Sequence, residues 1–536
     1  MSRTTRVPYR IAAAATATLL VLLGPAWPAF ADSVALAGIG AGTGLGTDAG
    51  LAAGTGLGMA ADGNPAAGTS PTGPANWEPP PLPANPQYPP DEGPGGAPDK
   101  AYALNTNGQG GCITSGVTQP ITRVPAAQSM LDIADAQKIS TGRNVTVAVI
   151  DTGVNPHPFF GNRLENGGDY IQSDGKGEFD CDGHGTIVAG IIAADTRGTG
   201  LGFIGVAPDA NILAIRQTDG NYVDAQGDPA GDLTTLAEAI YYAATVPAVK
   251  VITMSVDNCN TLANAQTQEN SQPGQLLQAA IHYAVDVADK VVVAAAGNIP
   301  NGNTADQNSQ GNAASQSASS NPCASVPQND DPDGNAVKQV EIPPVYANDV
   351  LSVASVNPNT GDPSTFTEWG PWVSVAAPGE NIISVDPAPN GTLLADRTQQ
   401  NGSTVLLQGT SFAAPYVAGL AALIRSKFPT LTARQVMYRI EATAQHPSGP
   451  GGRNNEVGYG VIDPVAALTA LIPGQNGVPV SGTTQIKAQA PNSGNLDSLP
   501  MRIALIGTGG AALLLLIIYF IVRTNRHNRR SQQPQT

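Results

Sequence analysis

Between about Met130 and Leu471 the chain alternates short runs of Val, Ile and Ala with longer stretches of helical period, and no other property narrows its fold as far. A strand that reads as continuous β-branched and small apolar residues needs apolar cover on both faces. Helices interleaved with such strands supply that cover on either side of a parallel sheet. The strand candidates are residues 145–150, 212–215, 251–256, 291–296, 350–356 and 372–376. Helical stretches lie near 233–245, 275–288, 411–427 and 433–444, the last opened by Thr432 and Gln435 at the spacing of a capping box. The expected fold is therefore α/β: a three-layer sandwich with a central, mostly parallel sheet and helices on both faces.

That body is not the whole of the 536 residues, because 61 Gly and 45 Pro are too many for packed core throughout. Residues 1–31 read as a signal peptide: Arg3, Arg6 and Arg10 precede an apolar run over 11–23, and Ala29-Phe30-Ala31 has the form of a cleavage site. The competing reading, an uncleaved anchor, meets an apolar run shorter than the roughly 20 residues a bilayer needs. Residues 32–98 are rich in Gly, Ala and Pro with almost no apolar periodicity, so they cannot bury enough surface to offset chain entropy. They are expected to form an extended arm, with Trp77 and Tyr88 available to dock near its end. Residues 99–144 would be an extension packed on the main body, 145–473, in which 221–232 and 301–335 are polar loop insertions. A Gly, Pro and Ser-bearing stalk follows over 474–500.

Residues 501–522 read as a C-terminal transmembrane helix. From Ile503 to Val522 there is no charge, and at about 1.5 Å per residue that length crosses a hydrocarbon core of about 30 Å. A buried core helix is the alternative, with little chain after it to build a core. Arg523, Arg526, Arg529 and Arg530 in the tail 523–536 place that end in the cytoplasm and the body outside. The formal charge of −16 falls on the exported part and argues against nucleic acid as a partner.

Three short motifs carry chemistry: Asp151-Thr152-Gly153 ending the first strand, His184-Gly185-Thr186 opening an apolar helix, and Gly409-Thr410-Ser411 opening another. Each alone is weak, since D-T-G also occurs in aspartic proteases and in ordinary turns. Jointly they bring one acid, one imidazole and one hydroxyl to the ends of elements. Acyl transfer needs a hydroxyl that an imidazole can deprotonate and a carboxylate that fixes the imidazole's tautomer. Asn298, directly after Ala294-Ala295-Ala296-Gly297, is placed to donate to an oxyanion together with the backbone N–H at Ser411.

These segments resemble the subtilases, through A-V-I-D-T-G, H-G-T-x-V-A-G, A-A-A-G-N, G-T-S-F-A-A-P-Y-V-A-G and G-Y-G-V-I-D-P-V-A-A-L, in that order over about 145–471. The resemblance implies a subtilisin-like α/β fold, a catalytic triad of Asp151, His184 and Ser411, and Asn298 in the oxyanion hole. The export signal, proline-rich arm, four cysteines, polar insertions and single span together resemble the mycosins, membrane-anchored proteases of type VII secretion systems. That implies a protein or peptide as substrate and a type VII secretion membrane complex as partner.

Departures from the family pattern bear on specificity. Ser255, Val256, Asp257 and Gly297 are expected to line the substrate cleft, and Asp257-Asn258 replaces the glycines of the family's S-L-G-G, which predicts a narrow specificity. Ile187 and Tyr416 stand where many members carry histidines outside the triad. Residues 33–98 show no pattern of a compact inhibitory prodomain. No cofactor and no metal are expected; Asp174, Glu178, Asp180 and Asp182, ahead of His184, read as a solvated acidic loop in preference to a cation site. His157, His282 and His446 read as structural. Cys112, Cys181, Cys259 and Cys323 lie in the exported portion, where two disulfides are expected and three pairings are formally open. The positions of Cys112 after the arm and of Cys181 before His184 favour their pairing, which leaves Cys259 to Cys323.

Two functions from different classes follow. One is a serine endopeptidase of narrow specificity acting outside the cytoplasmic membrane. The other is a structural component of a membrane secretion complex in which hydrolysis is dispensable.

Overall fold

The computed structural model describes residues 78–90, 94, 101–105, 112–115, 120–173, 175–256, 258–299, 337–400, 403–475 and 513–524. Seven parallel strands form its centre: β1 (Thr146–Asp151), β2 (Leu164–Asp169), β3 (Asn211–Arg216), β4 (Val249–Met254), β5 (Val291–Ala295), β6 (Leu351–Val356) and β7 (Val373–Pro378). Their order across the sheet is β7-β6-β5-β4-β1-β3-β2. Each neighbouring pair is parallel. Every residue of β1, β5, β6 and β7 is buried, as strands covered on both faces require. After β3 the chain crosses back over β1 to start β4, so the winding direction reverses between β1 and β4. Ligands of open parallel sheets bind beyond the strand carboxyl ends at such a point.

The helices form two layers. On one side α1 (His184–Ala193) packs against α4 (Thr410–Lys427), which lies along β4 to β7. On the other, α2 (Leu233–Thr245) packs against α3 (Gln272–His282) and along β1 and β4. All of α1 and the stretch of α4 from Thr410 to Arg425 are buried, as apolar all-round helices demand. The box of Thr432 and Gln435 caps α5 (Ala433–Ala442) as its spacing predicts. The expected helix over 275–288 starts three residues earlier at Gln272, after the Ser271 cap, and ends in a π-turn over Tyr283–Val287.

Two expectations change here. The strand β2, Leu-Glu-Asn-Gly-Gly-Asp, has no apolar run to announce it, because it is an edge strand that is partly exposed along its length. The expected polar loop 221–232 is instead partly strand: Asp219–Val223 pairs antiparallel with Ala103–Leu104 of the N-terminal extension and with Pro229–Ala230. Its partner lies more than a hundred residues earlier, so local pattern cannot reveal it. The loop ends in Asp232, whose carboxylate caps α2 through the backbone N–H groups of Thr234 and Thr235.

The extension also adds Thr114–Ser115 to the hairpin Arg397–Gln400 and Ser403–Leu406. Part of the arm docks as expected. Tyr88 stacks on Tyr241 at 6.0 Å and meets Tyr283 edge-on at 5.4 Å, and Gln278 donates to the Pro80 carbonyl at 2.7 Å. Trp77, Asp174, Asp257, Cys323 and the insertion 301–335 lie outside the described residues. Of the expected membrane span, 513–524 is an exposed helix and the preceding part lies outside the described residues. Among the described residues no helix is long and apolar enough to cross a membrane.

Candidate active site

Asp151 ends β1 and His184 begins α1, and their side chains meet: His184 Nδ1 lies 2.7 Å from Asp151 Oδ1, with the carboxylate fully buried. In a neutral imidazole this contact places the proton on Nδ1 and makes Nε2 the acceptor. The approach is possible because residue 185 is glycine. A Cβ there would sit 2.1 Å from the Gly153 carbonyl oxygen and 3.0 Å from Asp151 Cβ. Asp151 Oδ1 also accepts from the Thr152 N–H at 2.8 Å, which fixes the carboxylate's rotation.

Ser411 lies in the first turn of α4, and the ring of the next residue, Phe412, is 5.2 Å from the His184 ring. Pro415 has no N–H, so the Ser411 carbonyl lacks its partner four residues on. Ser255, after β4, supplies one: its hydroxyl donates to the Ser411 carbonyl at 3.0 Å. Asn298, after β5, accepts through Oδ1 from the Thr410 N–H at 2.9 Å and from the Thr410 hydroxyl at 3.2 Å. Oδ1 is thus the accepting end of the amide and the NH2 its donating end. Gly297 has φ +109°, and a Cβ on it would lie 2.3 Å from Glu341 Cγ, so the strand end can turn only as glycine. Ser255 and Gly297 thus touch the α4 N-terminus, Gly297 through its N–H, which donates to the Thr410 hydroxyl at 3.2 Å, and Val256 follows Ser255 in the chain.

The acidic loop ahead of His184 is solvated only in part: Glu178 is half-buried, while the two carboxylates nearest His184 are not exposed, contrary to expectation. Asp180 and Asp182 are buried, because the N-terminal extension covers them: Cys112 is disulfide-bonded to Cys181, and the Ile113 N–H donates to the Cys181 carbonyl at 2.8 Å. Asp180 Oδ1 accepts from Thr152 Oγ1 at 2.9 Å and from the Gly183 N–H at 2.6 Å. Its Oδ2 accepts from the Thr186 N–H at 2.9 Å and from Thr186 Oγ1 at 2.6 Å. Burial pushes Asp180 up to about 7 against these four donors. Burial, then the carboxylates of Asp219, Asp180 and Asp151, raise Asp182 well above the ordinary range. Beyond them Arg216 on β3 is fully buried, 2.9 Å from both Asp169 and Asp219, with its guanidinium over the rings of Phe179 and Tyr222.

Neither Asp180 nor Arg216 stands out in the sequence as a site residue. The available signal for Asp180 was an acid placed to cap the turn that opens α1. Cys259 is disulfide-bonded as well; its expected partner, Cys323, lies outside the described residues. Ile187 and Tyr416 are core residues. His157 packs on Phe159 and Phe160, and burial lowers it to about 4. His282 sits beside Asp286 and Asp349 on the surface of α3.

A profile described as the subtilase family matches residues 142–460. Mycosin-1 of Mycobacterium tuberculosis (strain H37Rv) is 43% identical over 360 residues, which cover 65% of this chain and 74% of that protein. The solved MycP3 protease from the type VII (ESX-3) secretion system superposes with a TM-score of 0.60 at 39% identity, covering 74% of this chain and all of that one. A chain of an intact ESX-5 inner membrane complex aligns with a TM-score of 0.62 at 32% identity, over 83% of this chain and all of its own length. With the family's motifs at the ends of its parallel strands and helices, the chain belongs to the subtilase family of serine proteases, and within it to the mycosins.

Proposed function

We propose that this serine protease is an extracytoplasmic endopeptidase of narrow specificity, anchored by residues 501–522 and associated with a type VII secretion membrane complex. The observation that carries the catalytic part is the buried 2.7 Å contact of His184 Nδ1 with Asp151, set beside the α4 turn that bears Ser411. In this reading His184 Nε2 takes the proton of Ser411 Oγ as that oxygen attacks a peptide carbonyl. Asp151 stabilises the imidazolium, and the imidazolium then protonates the leaving amine. Asn298 and the backbone N–H at Ser411 hold the oxyanion of each tetrahedral intermediate. Water deacylates the ester in the second half, with His184 again as base. Ser255, Val256, Asp257 and Gly297 would contact the substrate chain before the cut.

Membership of the mycosins supports the secretion partner, and the charge pattern of the two chain ends supports the topology. The domain plan of signal peptide, arm, extension, body, stalk, span and tail belongs to the same proposal. The alternative, a structural component whose hydrolysis is dispensable, draws on the ESX-5 complex chain that this fold superposes on.

A fluorophosphonate probe applied to the exported protein tests the chemistry. Ser411 is expected to be acylated in the wild type and the label to vanish in Ser411→Ala. A wild type that takes no label at Ser411 would leave only the structural reading. Secretion measured with Ser411→Ala then separates the two: unchanged secretion makes hydrolysis dispensable, and lost secretion makes it essential.

A further inference from the structure

The catalytic reading uses Asp151, His184 and Ser411 but leaves a buried carboxylate, Asp180, between the first two without a task. Its surroundings define one. Thr152, next to Asp151, accepts from the Gly185 N–H at 2.9 Å and donates its hydroxyl proton to Asp180 Oδ1. Thr186, two residues after His184, accepts from the Asn155 N–H at 2.8 Å and donates its hydroxyl proton to Asp180 Oδ2. Asn155 closes the ring, with its Oδ1 accepting from the Asp180 N–H at 3.0 Å and its Nδ2 donating to the Asp180 carbonyl at 2.7 Å. Two of these links join the segment after β1, residues 152–155, directly to the first turn of α1, residues 183–186, and the others tie both segments to Asp180. Those segments carry Asp151 and His184 respectively.

We propose that Asp180 is a positioning residue for the hydrolysis, holding His184 on Asp151, and that it does so only as the carboxylate. Both hydroxyls already spend a lone pair on a backbone N–H, and each aims its single proton at Asp180. A carboxyl that gains a proton brings a fifth hydrogen among its four donors: it must displace one of them or reverse a threonine hydroxyl so that this accepts on its second lone pair, and the cross-link between β1 and α1 is rearranged. A shift of about 1 Å at the base can cost about 10²-fold in rate. This inference rests on the catalytic assignment of Asp151, His184 and Ser411.

The groups that face Asp180 make its proton matter in the working pH range. Asp182 is on its own loop, Asp151 on β1, and His184 on α1. Asp219, Asp169 and the Arg216 they share lie behind Asp182. Asp386 flanks Pro387, whose carbonyl takes the second Nδ2 hydrogen of Asn155 at 2.9 Å. Of the extension, the residues set against Cys181 are Cys112, which is bridged to it, and Ile113, whose N–H donates to its carbonyl. Burial moves Asp180 up to about 7, into the range where an ordinary imidazole also titrates. Two protons, one on His184 and one on Asp180, then each abolish the productive arrangement.

The test is the acid limb of kcat/KM for a peptide in the full-length protein, read beside the rate of fluorophosphonate labelling at Ser411. The wild type is expected to rise with a two-proton slope. Asp180→Asn should lose about 10- to 100-fold in kcat, keep KM within about twofold, and rise with a one-proton slope. A merely structural role would lower Tm and give the folded fraction of the variant the same limb as the wild type. A one-proton limb in the wild type, or an unchanged limb in Asp180→Asn, overturns the proposal while labelled Ser411 keeps the catalytic reading. Absence of labelling in the wild type overturns both. If Asp180→Asn does not fold, the Thr152 pair decides: Thr152→Val losing about tenfold in kcat, with Thr152→Ser restoring it, supports the proposal. Thr152→Val equal to the wild type overturns it.

Discussion

Single residues differ in how they respond to acid, and His157 and Asp180 respond with opposite signs. Burial holds the folded His157 at about 4, below the roughly 6.5 of an unfolded chain, so its contribution to stability is full above 6.5 and is lost as pH falls toward 4. The size is about 3 kcal/mol at most. Asp180 is raised instead, so the native state binds its proton more tightly than the unfolded chain does and its contribution grows as pH falls below about 7. Only a difference measurement separates them. His157→Asn keeps an acceptor for the Phe159 N–H that Nδ1 now takes at 3.2 Å. It is expected to be less stable than the wild type at pH 8, with a gap in denaturation midpoint that narrows between pH 6.5 and 4. A constant gap would mean that His157 is not held neutral. The proposed catalytic residues were legible because each motif sets a reactive side chain beside glycine at an element's end. Asp180 was not legible, because only the extension, remote in sequence, removes its loop from water.

At the scale of elements, pattern revealed the strands that are apolar and buried along nearly all their length and missed the polar ones. Strands β1 and β3 to β7 fall within a few residues of their apolar runs, whereas β2 and the strand Asp219–Val223 are polar and depend on partners that sequence does not name. Both are tied to the sheet by one cation. Arg216, at the end of β3, pairs with Asp169 at the end of β2 and with Asp219 at the start of the added strand. Removing a partner from a buried ion group costs about 3–5 kcal/mol because the remaining charges stay buried and unpaired. Arg216→Ala is expected to lower unfolding stability by that amount in denaturant titrations. A loss under about 1 kcal/mol would show that water replaces the guanidinium.

For the molecule as a whole, the described part of the body runs to Gln475. That side chain is buried, accepts from Arg439 Nε at 3.0 Å and donates to the Gln435 carbonyl at 3.0 Å. A chain ended after Gln475 is therefore expected to be soluble and to keep its rate on short peptides. One ended at Leu471 should be less stable, because Arg439 loses that partner; equal Tm values for the two would place the end of the body earlier. The order of the layers could be read from alternation alone and the extension's sulfur bridge was expected from the positions of Cys112 and Cys181, but its two-residue strands could not be read. That bridge also ties the enzyme to a compartment. The segment that supports the base is bonded through Cys181 to Cys112 across 69 residues, and such a bond persists in an oxidising environment and not among cytosolic thiols. On the exported topology proposed above, a newly made chain still facing the ribosome lacks this clasp, so it would acquire its full hydrolytic competence only on the far side of the bilayer, where its own cell's proteins are scarce.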